Sequence, residues 1–131
     1  MSSGDLRKEI VERFGDFFSR RGFVETYYFY DEKSFGNEIL ELRDEAGTQV
    51  RVTRDRSQIF VEIKSSKGLF VDSFFYLRAL GHRKEEYWQA SDADPPQPGI
   101  PSALVKDMMA EWPGIVALAR NGFEVKTTPW A

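Results

Sequence analysis

Three runs in this chain alternate apolar and polar residues: "EILEL" (38–42), "TQVRVTR" (48–54) and "QIFVEIK" (58–64). Successive strand residues point to opposite faces, so Leu40, Leu42, Val50, Val52, Ile59, Val61 and Ile63 can share one side of a sheet. Glu41, Arg51, Thr53 and Glu62 then point the other way, and Phe60 breaks that polar face as a candidate to pack beside an aromatic of an earlier strand. The linkers "RDEAG" (43–47) and "DRS" (55–57) are short enough to make these runs antiparallel neighbours. Before them, "FVETYYFYDE" (23–32) is too aromatic and β-branched for a loop and reads as a strand, with "KSFGN" (33–37) as the turn. The pattern predicts an antiparallel meander of about four strands with one apolar face, and such a face needs a cover.

Helical periodicity supplies the cover. Leu6, Ile10, Phe14 and Phe17, with Val11 and Phe18 beside them, form one stripe over the first 18 residues. Ser2, Ser3 and Asp5 are candidate caps, and "RRG" (20–22) ends the element. A second helix is expected after Asp72 or Ser73 as cap, with Phe74, Leu77 and Leu80 at helical spacing, Phe75 beside them and Gly81 at its end. "SDADPPQPGIP" (91–101) is a proline-restricted connector. A helix carrying Leu104, Val105, Met108 and Trp112 follows, broken at Pro113, then a shorter one over 114–120, and "FEVKTTPW" (123–130) could add an edge strand or a tail. With 131 residues the expectation is one α+β domain spanning 1–131, its meander covered by the N-terminal helix and the 72–80 helix and completed by a C-terminal helical pair.

Composition removes several classes of function. The net charge is −3 with no basic stripe, so the electrostatic footprint of a nucleic-acid binder is missing. There is no cysteine, which excludes disulfides, thiolate metal sites and cysteine nucleophiles, and fits the cytoplasm. "MSSGDLRKEI" has no apolar segment of a cleaved signal, and no run approaches a membrane span, so neither export nor membrane insertion is expected. His82 is the single histidine and sits just after a helix-ending glycine, which makes it a poor triad or metal claim. The carboxylate pairs Asp31-Glu32, Glu85-Glu86 and Asp92/Asp94 read as solvated loop charge, and no phosphate-loop, dinucleotide or calcium-loop spacing occurs. No catalytic residue, metal or cofactor is therefore expected.

Binding residues are easier to nominate. Arg51, Arg54 and Arg56 surround Asp55 at a hairpin, and arginine's planar fork suits an acidic partner. The opposing reading has Asp55 fasten the turn and neutralise an arginine, and spacing favours it, although Arg56 stands out as the arginine left to meet a partner. Tyr27-Tyr28-Phe29-Tyr30 offers two faces, Tyr28 with Tyr30 and Tyr27 with Phe29, one for the core and one for an aromatic surface, with Tyr27, Tyr30 and Trp88 as contact candidates; the equal alternative is that the proline-rich connector folds over that surface.

Together, "SFGNEILEL", "VRVTRDRSQIFVEI" and "FVDSFFYLRAL" resemble a pattern in small uncharacterised bacterial α+β proteins. The matching residues are Phe35, Gly36 and Asn37 in one turn and Arg54, Asp55 and Arg56 in the hairpin, with Ser57 where the pattern has glycine. Some of those proteins are similar to the immunity proteins of polymorphic toxin systems. The resemblance implies a non-enzymatic protein-binding domain that neutralises a cognate toxin by occlusion. Two rivals stand beside it: a small enzyme whose cleft gathers Asp31, Glu32, Glu62 or His82, and a self-associating structural protein using a sheet edge or the C-terminal helices.

Overall fold

The computed structural model describes residues 6–33, 37–55, 58–88 and 99–125. Its strands are β1 (Val24–Asp31), β2 (Asn37–Arg43), β3 (Gln49–Asp55), β4 (Gln58–Lys64) and β5 (Phe70–Asp72). They form one antiparallel sheet in the order β1-β2-β3-β4-β5. The helices are α1 (Leu6–Phe14), α2 (Phe17–Arg20), α3 (Ser73–Ala79), α4 (Ser102–Ala110) and α5 (Trp112–Arg120), with a 3-10 turn at Glu85–Trp88. The α+β class, the N-terminal helix and the C-terminal helical pair are as the sequence pattern predicts. No helix among the described residues is long and apolar enough to cross a membrane.

Alternation settles the two faces. Leu40, Leu42, Val50, Val52, Val61, Ile63 and Val71 are all buried on one side. There α1 lies over β2 and β3, α3 over β4 and β5, α4 bridges α1 and α3, and α5 packs on α3 and α4. The core thus sits between the sheet and a helical layer, with Phe14, Leu77, Met108 and Ile115 deep within it. The Tyr76 hydroxyl donates to the Ile63 carbonyl at 3.0 Å, and burial pushes this phenol up to about 12.

Three elements depart from expectation. The first stripe is two helices, because Gly15 takes the left-handed conformation (φ 60°) and interrupts it. That break lets Phe17 and Phe18, neighbours in sequence, both reach the core. The sheet has five strands, since Phe70–Asp72 pairs with β4 before the chain turns into α3. Asp72 is the cap of α3, accepting from the Phe74 amide at 2.9 Å. The α4–α5 break falls at Glu111, and Pro113 sits in the first turn of α5, where its missing N–H costs nothing. The Phe35-Gly36 turn, Arg56, Ser57, most of the proline-rich connector and residues 126–131 lie outside the described residues; 123–125 form no strand.

Candidate functional site

The other face of the sheet carries no helix among the described residues, and cross-strand register arranges its side chains in rows. One row runs Phe29, Ile39, Thr53, Phe60 across β1 to β4. Phe29, on the edge strand β1, remains 46% exposed, and Phe60, on the interior strand β4, 37%, which is high for large apolar rings. Phe60 therefore does not pack beside a β1 aromatic as expected: β2 and β3, with Ile39 and Thr53, separate it from Phe29. The next row runs Tyr27, Glu41, Arg51, Glu62, Asp72 across all five strands.

Arg51 is held in that row. Its Nε donates to Glu62 Oε1 at 2.9 Å, and its guanidinium lies 4.2 Å from the centroid of the Phe70 ring. Both contacts fix the side chain's direction, so the cation is presented in one place at reduced entropic cost. Glu41 lies between Tyr27 and Arg51 in the row. Asp72 closes it: burial raises its carboxyl above the usual value, the Phe74 amide works against this, and the nearby Glu62 charge adds to the rise.

The nominated residues do not form one cluster. Arg51 and Arg54 are three apart on one strand and so leave opposite faces. Arg54 turns to the helical side, where Nη1 donates to Glu38 Oε1 at 2.8 Å. Glu38 is fully buried and also accepts from the Tyr28 hydroxyl (2.5 Å) and the Leu6 amide (3.0 Å). Arg54 is therefore a fastening residue between sheet and α1, and its partner is Glu38 rather than Asp55, which is exposed at the end of β3. Arg56 lies outside the described residues, as does the side chain of Trp88. Tyr27 is on the open face, but Tyr30 has the opposite parity, opposite Glu38 across β1 and β2. Of these two contact candidates only Tyr27 is on the open face.

Sequence reasoning passed over a second polar group. His82, just past α3, meets Glu111 Oε2 through Nε2 at 2.6 Å, and its Nδ1 is 3.7 Å from Asp107 Oδ2. Asp107 is buried and accepts from Tyr87 (2.5 Å) and Lys84 (2.8 Å). Burial pushes its carboxyl up, but the Lys84 and Tyr87 hydrogen bonds and the Lys84 and His82 charges outweigh that and hold it below the usual range. No local pattern links these residues, since the partners lie 20 or more positions apart. Every carboxylate in the group has a protein partner, so the arrangement ties 82–88 to α4.

The carboxylates and imidazole named for an enzyme do not converge. Glu62 is engaged with Arg51 on the open face, Asp31 accepts from the Lys33 amide at the end of β1, and His82 is on the helical side. Among the described residues, no group of three or more histidine, aspartate or glutamate side chains is placed to hold a metal. One depression, of about 460 Å3, is lined by Thr48, Lys64, Ser65 and Arg120, and a smaller one by Phe74, Arg78, Arg83 and Glu85. Neither has Asp31, Glu32, Glu62 or His82 in its wall. Comparison with protein-family models, with curated proteins and with solved structures finds no match.

Proposed function

We propose that this chain is a non-enzymatic protein-binding domain that docks a partner on the open face of its sheet. The observation that carries the reading is the row Phe29, Ile39, Thr53, Phe60, largely apolar and under no helix among the described residues, beside an arginine locked in place by Glu62 and Phe70. An apolar centre with aromatic rings and a fixed arginine is the composition that protein interfaces favour. The resemblance noted in the sequence extends the proposal to an immunity-like role, in which this face covers the working surface of a toxin. In that role Arg51 and Tyr27 are contacts, whereas Arg54 acts through the fold.

The test is binding to the proteins encoded beside its gene, by co-expression and co-purification of the full chain. Phe60→Glu and Arg51→Glu should each abolish capture, and protection where the partner is toxic, while leaving the melt cooperative. Lys8→Ala, on the exposed side of α1, should change nothing. Capture unaffected by both open-face substitutions would overturn the reading.

A further inference from the structure

We propose that β1 is also the strand through which two copies of this chain join, antiparallel, about a two-fold axis at Phe29. This goes beyond the docking face, because it uses the edge of the sheet. Among the described residues no strand pairs with the outer side of β1 or of β5, and these two edges are unequal. β5 has three residues and runs directly into α3, whereas β1 has eight, six of them exposed. An open edge offers its outward N–H and C=O groups to another strand, and proteins usually blunt it with lysine, proline or brevity. "VETYYFYD" contains none of these guards. Its one irregularity is the bulge between Glu25 and Tyr27, which confines a regular ladder to Tyr27–Asp31.

Those five residues fit their own reverse. An antiparallel pair keeps its faces only if each residue meets one of the same parity. Centred on Phe29, Tyr27 meets Asp31 of the second copy, Tyr28 meets Tyr30, and Phe29 meets itself. The phenol of Tyr27 then faces a carboxylate it can donate to, and aromatic pairs fill the rest, the cross-strand combination that stabilises sheets. Centring on Tyr28 instead sets the bulged Thr26 against Tyr30 and spoils the ladder. Centring on Tyr30 puts Phe29 against the Asp31 carboxylate twice. Tyr28 is already fixed by its hydroxyl on Glu38 and by the Arg7 guanidinium 3.7 Å from its ring centroid, so little order is lost on pairing. The Phe29 rows of the two sheets then run on as one, which selects a second copy over an unrelated strand.

The chain has no cysteine, so a single introduced thiol reports the register. Directly opposed strand residues have Cα atoms roughly 4.5–5.5 Å apart, inside the range a disulfide can span. Under mild oxidation Phe29→Cys should cross-link to itself. Tyr27→Cys mixed with Asp31→Cys should give a cross-linked heterodimer, while neither does so alone, being about 13 Å from its own copy. Sedimentation equilibrium of the unmodified chain should show a dimer. Phe29→Arg should weaken it at least about tenfold, because like charges then oppose each other, and mixing Phe29→Arg with Phe29→Glu should restore it. Three results would overturn the proposal: a monomer throughout the concentration series, Tyr27→Cys cross-linking to itself as readily as Phe29→Cys, or a dimer indifferent to Phe29→Arg. None of these depends on whether the open face binds another protein.

Discussion

Glu38 and Arg54 oppose each other across β2 and β3, 2.8 Å apart, on the face of the sheet that holds the core. No part of Glu38 reaches solvent, and its oxygens also receive the Tyr28 hydroxyl and the Leu6 amide at the start of α1. One carboxylate therefore ties three elements together. Removing one side of a buried pair strands the other, so Glu38→Ala and Arg54→Ala should each cost about 3–5 kcal/mol in chemical denaturation. Glu38→Gln keeps an acceptor oxygen and should cost less than either. Arg54→Gln should lower stability while leaving the half-buried Arg51 contact with Glu62, on the opposite face, unchanged.

Val61→Asp should unfold the domain. Val61 is fully buried and opposes Val52 in the middle of the sheet, where a carboxylate would have neither water nor a partner. A thermal melt should lose its cooperative transition. Phe60→Asp, one residue away on the open face, should melt within a few degrees of the parent.

Asp72 gives a prediction about charge. Its folded value is raised, so ionisation costs stability at neutral pH, and that cost disappears as pH falls through the folded value. Asparagine keeps the oxygen that accepts from Phe74 and loses the charge. Asp72→Asn should therefore be neutral or stabilising at pH 7, whereas Asp72→Ala, which loses the cap, should cost about 1 kcal/mol. Melts at pH 7 distinguish the two.

Asp107 behaves in the opposite sense. Its folded value is depressed, so its contribution is fully present above about pH 4, the ordinary aspartate value, and is lost as pH falls through the lower folded value. Denaturation followed from pH 6 to pH 2 should show this loss. Tyr87→Phe should cost about 1–2 kcal/mol at pH 7, a hydrogen bond to a charged group less the removed hydroxyl's own burial cost. Lys84→Met should flatten the acid limb.

The sheet was legible because alternation is a local signal: Leu40, Val52 and Val61 stand on the side that parity assigns them. The same parity contained a clue that the arginine cluster concealed. Glu38 and Arg54 both fall on the apolar parity of their strands, and opposite charges at such positions on neighbouring strands indicate a buried pair. Other features had no local signal. Gly15 in a helical stripe reads equally as a tolerated residue or a break, and only tertiary packing of Phe17 and Phe18 decides. β5 is three residues that need β4 to be a strand at all. Asp107 and Glu111 look like ordinary helix-surface charges until His82, Lys84 and Tyr87 are brought over them.

Trp112 begins α5, and its ring lies 5.6, 5.5 and 6.0 Å from those of Phe17, Phe18 and Phe23. All four are buried, so an early aromatic cluster is closed by a residue near the other end of the chain. During synthesis, roughly 90 residues separate the emergence of the phenylalanines from that of their lid, a delay on the order of 5–20 s at ribosomal speed. Throughout that interval the rings of the N-terminal segment have one another but not their lid. A nascent or truncated chain ending before Trp112 would leave the side that Trp112 covers open, as a handle for chaperones and proteases that the finished protein withdraws.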